Sequence, residues 1–157
     1  MKENQEELTE EMDDAMQGRF LTFDIGREVF GIEIRVVKEI VGIQPINPLP
    51  ESPDYVCGVI NLRGRIIPVV DMRLKLKKDA AEYTDRTCII VIETGRISAG
   101  LIVDQVAEVL SIGKESIAPP PELGTGISNR YISGIGKVGD GVKLLLDCEE
   151  LFANEDI

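Results

Sequence analysis

The 157-residue chain contains no histidine and no tryptophan, and aromatic residues make up only 4% of it. Without an imidazole it lacks the usual general base near neutral pH, the commonest transition-metal ligand and every Ser-His or Cys-His nucleophile pair. Ordinary hydrolytic chemistry is nearly excluded, and no catalytic residue, metal or cofactor is expected. No apolar run approaches the roughly eighteen residues that a membrane helix needs, and the N-terminus MKENQEELTEEMDDAM has no apolar core of a secretory signal. The expectation is a cytoplasmic protein without direct membrane insertion. The three cysteines, Cys57, Cys88 and Cys148, are odd in number and widely spaced, with no C-x-x-C. They read as reduced, buried thiols acting as small hydrophobes.

Net charge is −11, with 28 acids against 17 bases, which argues against a phosphate backbone as partner. The excess is confined to the ends. Residues 1–18 hold seven acids and one lysine, and residues 147–157 hold five acids and no base, so residues 19–146 are formally neutral. Residues 1–18 read as an acidic tail, in which a helix over Glu6 to Gln17 would have only Leu8, Met12, Ala15 and Met16 as an apolar stripe.

Phe20–Ile25 and Val29–Ile34, joined by Gly26-Arg27, have the pattern of a β-hairpin, and Val36–Ile43 continues as a strand. Pro45, Pro48, Pro50 and Pro53 interrupt regular structure, and Ser52-Pro53 predicts a helical turn over 53–57. Val59-Ile60 and Arg65–Asp71 flank a turn at Asn61-Leu62-Arg63-Gly64. Strands are predicted again at Cys88–Ile92, Ala99–Val103 and Val106–Ile112. A Pro/Gly-rich break follows at 118–126, then a hairpin of Tyr131–Val138 and Val142–Leu146 with Asp140-Gly141 supplying the positive φ. A short helix over Asp147–Asn154 closes the chain.

The chain also repeats itself. Sliding residues 20–43 by 69 positions aligns Gly26 with Gly95, Arg27 with Arg96, Gly31 with Gly100, Val37 with Val106, Glu39 with Glu108 and Ile43 with Ile112. A slide of 76 puts Gly58-Val59 on Gly134-Ile135 and Val69-Val70-Asp71 on Leu145-Leu146-Asp147, in the same order. The expected architecture is all-β with short helices: two similar five-stranded SH3-like barrels packed together, the first over about 19–82 and the second over about 83–147, with 148–157 as a short C-terminal helix and acidic end. Their seam is a candidate groove.

Three motifs invite functional readings. Gly134-Ile-Gly136-Lys-Val-Gly139 spells G-x-G-x-x-G, but a hairpin follows it instead of a helix, so it is no dinucleotide fingerprint. Asp71 and Asp147 occupy equivalent strand ends, like a duplicated aspartic dyad, yet neither begins Asp-Thr/Ser-Gly; they read as caps of following turns or helices. From Arg63 to Lys78 six bases stand against Asp71 alone, a run that usually marks a solvated face. Within it, Leu62 and Arg63 share the tip of a turn, a combination suited to a protein contact.

The string Gly58-Val-Ile-Asn-Leu-Arg-Gly64-Arg-Ile-Ile-Pro-Val-Val-Asp71-Met-Arg73 closely resembles the CheW family of chemotaxis coupling proteins. The likeness extends through Phe30–Ile34, Val37–Ile40 and Pro48–Pro50 before it, and Gly100–Val106 after it, so it spans roughly 19–152. It implies two five-stranded β-barrels, no catalysis, and an adaptor linking the histidine kinase CheA to the cytoplasmic tips of methyl-accepting chemoreceptors. Carried over residue by residue, it implies receptor-binding roles for Val37, Gly58, Asn61, Leu62, Arg63 and Val109. By the same likeness, Glu39 and Ile40 face the kinase. Two alternatives stand beside it: an adaptor for a chemosensory array that does not control flagella, and a double barrel binding a small molecule in its groove.

Overall fold

The computed structural model describes residues 17–95, 97–120 and 130–153. The expected tail helix, most of the Pro/Gly-rich break and Arg96 lie outside the described residues, as do the last four positions. The chain forms β1 (Arg19–Ile25), β2 (Glu28–Glu33), a 3-10 turn (Ile34–Val36), β3 (Val37–Gly42), β4 (Val56–Leu62), β5 (Arg65–Asp71) and helix α1 (Met72–Lys75). There follow β6 (Cys88–Glu93), β7 (Ser98–Val103), β8 (Gln105–Ser111), a 3-10 turn (Lys114–Ser116), β9 (Ile117–Ala118), β10 (Ile132–Val138), β11 (Gly141–Leu146) and helix α2 (Cys148–Leu151). The molecule is mostly β with short helices, as its alternating apolar pattern predicts.

The strands form two sheets, ordered β8-β1-β2-β11-β10-β9 and β3-β6-β7-β5-β4. Setting aside the two-residue β9, each has five strands. The repeat is visible in them: hairpins β1-β2 and β6-β7 correspond, as do β3 and β8, and hairpins β4-β5 and β10-β11. The two halves expected over about 19–82 and 83–147 each contribute strands to both sheets. Hairpin β1-β2 of the first half pairs with β8 and β11 of the second, and hairpin β6-β7 of the second half pairs with β3 and β5 of the first. Two short parallel pairings, β2 with β11 and β5 with β7, complete the exchange. The crossings lie at the 3-10 turn between β2 and β3 and at Asp104 between β7 and β8. Alternation in sequence reports which face of a strand is buried, while the identity of its hydrogen-bonded neighbour is a tertiary choice.

Burial explains why the exchange holds. The largest core cluster draws on both sheets, with Phe23, Phe30 and Ile32 from one and Val70, Ile90 and Leu101 from the other, together with Met72 of α1 and Leu151 of α2. Smaller clusters lie within the individual sheets: Ile60, Ile67, Val69, Ile89, Val91 and Ile102 in the five-stranded sheet, and Phe20, Ile112 and Leu145 in the six-stranded one. Separating the sheets would open the central cluster, at roughly 25 cal/mol per Å² of apolar surface exposed.

Local details follow residue chemistry. Asp71 caps α1, accepting from the amides of Arg73 and Leu74 at 2.9 and 3.4 Å, and Asp147 caps α2, accepting from those of Glu149 and Glu150 at 3.0 and 3.2 Å. Each carboxylate is thus engaged at its own helix, in keeping with the capping reading. The helical turn expected over 53–57 is replaced by a turn at Asp54–Tyr55, because Val56 is already paired with Val70. In the β10-β11 turn the positive φ falls on Gly139 at +59°, one step earlier than Asp140-Gly141 suggested. Cys148 is buried, and burial pushes its thiol up to about 12. Burial likewise raises half-buried Cys57 and Cys88, so all three are poor nucleophiles.

Gly58 sits at a bulge in β4 with φ +142°, where a Cβ would meet the Asn47 carbonyl oxygen at 2.1 Å. That approach lets Asn47 and Val59 exchange two backbone hydrogen bonds of 2.9 Å. Gly64 has φ +85° but open space around it. Gly58→Ala is therefore expected to cost at least about 2 kcal/mol, and Gly64→Asn much less, a ranking that urea denaturation of the two variants would check.

Candidate interaction site

The expected contact residues fall on strand edges. Val37, Glu39 and Ile40 lie on β3 and Gly58, Asn61 and Leu62 on β4, the two opposite edges of the five-stranded sheet, while Arg63 forms the β4-β5 turn. Arg63 closes the distance between those edges. Its Nη1 and Nη2 donate to the two carboxylate oxygens of Glu39 at 2.6 and 2.8 Å. Residues that the family resemblance implied for different partners, Arg63 and Glu39, thus form one bidentate ion pair.

Arg63 pays for its position in backbone conformation. It has φ +54°, left-handed and unfavourable for a residue with a Cβ, followed by Gly64 at +85°. The Asn61 side chain supports the turn, its Oδ1 accepting from the Gly64 amide at 2.8 Å. Hydrogen bonds from the guanidinium hold the Glu39 carboxyl below the usual carboxylate range, and the carboxylate raises Arg63 in return. The Arg63 side chain is nevertheless 72% exposed. An exposed ion pair contributes little to stability, so a strained turn carrying one is better explained by what it presents than by what it stabilises.

Leu62 does not stand out at the turn tip beside Arg63. It is half-buried and packs on the core cluster inside its own sheet. The exposed apolar residue here is Ile66, at 65%, directly across from Asn61 on β5. Period-two alternation could have found it: Ile67 and Val69 point into the sheet's own core, so Ile66 must point away. Gly58 is buried and acts through its close backbone approach, with no side chain to offer a partner.

Cross-strand partners share a sheet face, and this locates the remaining apolar residues. Ile40, 45% exposed, is opposite Ile90, and Val109, 42% exposed, is opposite Leu21; both partners belong to the central cluster. Ile40 and Val109 are repeat equivalents at offset 69, on the edge strand of one sheet and the edge strand of the other. Val37 packs against the same cluster. Ile66 alternates in register with Val70, and its equivalent Val142, 55% exposed, with Leu146. Exposed aliphatics therefore line the margin of the core that joins the two sheets.

The run of bases from Arg63 to Lys78 does not form one basic face. Arg63 meets Glu39, Arg65 lies 3.9 Å from Glu93, Arg73 binds Asp104, Lys75 is buried, and Lys78 pairs with Glu28. A cleft bordered by Glu33, Arg35, Ser133, Asp147 and Cys148 among others holds about 190 Å³, below the range of roughly 300–1,000 Å³ usual for small-molecule sites, and a more open one of about 500 Å³ borders Asp24, Gly26, Arg86, Asp104 and Gln105.

Asp104, at the crossing between the sheets, accepts from Arg73 Nε and Nη2 at 2.9 and 2.6 Å and from the Gly26 amide at 2.7 Å. These bonds, Arg73's foremost, hold its carboxyl below the ordinary aspartate value. The stability it contributes is complete above about pH 4, the unfolded value, and fades as pH falls through the lower folded value. Asp104→Asn is expected to cost about 1–3 kcal/mol at neutral pH and to flatten the acid limb of the stability curve below about pH 4, as read by urea midpoints against pH.

Comparison with known proteins places the chain among relatives. The CheW-like domain family matches residues 19–156. The chain is 37% identical over 138 residues to the chemotaxis protein CheW of Klebsiella aerogenes, covering 88% of this chain and 83% of that one. It is 34% identical to the chemotaxis protein CheW of Treponema pallidum, covering 90% and 85%. Among solved structures it is similar to the scaffolding protein TtCheW of Thermoanaerobacter tengcongensis, with 35% identity, a TM-score of 0.81, and coverage of 88% of this chain and 94% of that one.

Proposed function

The chain belongs to the CheW family, a scaffold and coupling protein of chemotaxis, and from that premise we propose that it couples the histidine kinase CheA to the cytoplasmic tips of transmembrane chemoreceptors, so that receptor state controls kinase autophosphorylation. The observation that carries this reading is the Arg63–Glu39 pair, strained, bidentate and exposed, beside the apolar margin of the seam. Such a site binds by geometry and performs no chemistry. Ile40, Ile66 and Val109 supply apolar contact, and Arg63 orients a partner through charge-assisted hydrogen bonds.

Both assigned contact sets meet at this pair, so one partner's arrival is felt by the other. A partner carboxylate that engages Arg63 releases Glu39 on β3, the strand that also carries Ile40. Receptor contact at Arg63, Asn61 and Val37 and kinase contact at Glu39 and Ile40 are then linked through one ion pair. Among the described residues no helix is long and apolar enough to cross a membrane, and array association comes through the partners.

The test is reconstitution of purified protein with CheA and a receptor signalling fragment, following co-sedimentation and kinase activity. Wild-type protein is expected to join both partners and to raise kinase activity. Arg63→Glu should keep its circular dichroism spectrum and lose receptor-dependent activation by roughly tenfold or more; full activation by that variant would sink the assignment. Ile66→Asp, at a residue so exposed, is expected to leave the urea midpoint nearly unchanged while weakening assembly, measured in the same sedimentation assay.

A further inference from the structure

Lys75 is the only lysine among the buried polar and charged residues described, 2% exposed at the end of α1. Its Nζ lies 4.1 Å from the centroid of the Tyr55 ring and 5.2 Å from that of Tyr131. These tyrosines are repeat equivalents at offset 76. Tyr55 leads into β4 of the five-stranded sheet and Tyr131 into β10 of the six-stranded sheet. The carbonyl of Tyr55 accepts from the amide of Asp71 at 2.8 Å, and that of Tyr131 from the amide of Asp147 at 2.9 Å, so the backbone of each tyrosine is tied to one helix cap. At the same offset Lys75 itself corresponds to Leu151, fully buried in the central cluster. The repeat thus places an aliphatic side chain on one side and a cation on the other.

The geometry points to Lys75 as a positioning residue: its ammonium, held against one tyrosine from each sheet, sets the relative orientation of the two sheets and with it the shape of the partner-binding seam. Aliphatic contacts are non-directional and tolerate small rotations, whereas a desolvated cation between two aromatic faces favours one arrangement. Leucine at this position would restore the repeat and preserve apolar burial, but it would remove that directional contact. A buried charge of this kind contributes to specificity of arrangement more than to stability, since an apolar replacement of similar size is often neutral or stabilising. The consequence for signalling rests on the coupling function proposed above. The orientation itself does not.

Residual dipolar couplings on the full-length protein provide the measurement, because they report the orientation of each sheet separately. In wild type both sheets should fit one alignment tensor. Lys75→Leu is expected to fold with a similar urea midpoint, but its two sheets should no longer fit a common tensor in the wild-type orientation, and receptor-dependent kinase activation should fall roughly tenfold. Lys75→Arg, which keeps a cation, should retain both. Wild-type orientation in Lys75→Leu overturns the proposal. Should the leucine variant not fold, Lys75→Met supplies the same reading, and failure of both to fold makes Lys75 a folding residue and overturns the positioning role. If the wild-type protein activates no kinase, the coupling function falls, while the dipolar couplings still decide Lys75.

Discussion

Two short parallel pairings, β2 with β11 and β5 with β7, hold together everything else in this molecule. Each joins a hairpin from one half of the chain to a hairpin from the other, so neither sheet is complete within a single repeat. The central core is the result. Its residues come from both sheets and both helices, and rigid separation of the sheets would strip apolar surface from all of them at once. Two barrels that merely touched could come apart; two barrels that have exchanged hairpins cannot do so without breaking both sheets.

This constraint also creates the proposed interaction surface. Edge strands are where a sheet stops covering its own core, and here β3 and β8 end the two sheets at equivalent places. Ile40 and Val109 are opposite core residues yet remain partly in solvent, since no further strand lies beyond them. An apolar margin of that kind, rimmed by charged side chains, has the character of a docking surface. Its charged element is the Arg63–Glu39 pair, which spans the open edges of one sheet from a turn whose left-handed backbone would suit glycine better than arginine. Local unfavourable conformation retained at an exposed position is the pattern expected where function, more than stability, selects the residue.

Electrostatics divides along the same line. Whole-chain charge is strongly negative, but the excess lies in terminal segments, and the body between them distributes its charges in pairs. The exposed Arg63–Glu39 pair and the more enclosed Arg73–Asp104 pair look alike in sequence terms, each an arginine from the same basic run. Their surroundings separate them. Asp104 is satisfied from several directions at the crossing between sheets and serves the fold, while Glu39 has Arg63 as its partner at the surface and is open to competition.

By itself the sequence determined the strand content, the repeat at offsets 69 and 76, the helix-capping aspartates and the turn that carries Arg63, because each depends on near neighbours and on alternation along the chain. The likeness around Gly58–Arg73 was equally local, and it led to the family. Tertiary structure alone decided that the repeats exchange hairpins, that Glu39 binds Arg63, that Leu62 turns inward while Ile66 stays out, that the basic run disperses onto separate partners, and that Lys75 ends between two tyrosines. All of these depend on which strand lies beside which. A period-two pattern fixes the face of a residue, but its neighbour across a sheet or a seam belongs to a pairing between segments many tens of residues apart, chosen by the burial of the whole core.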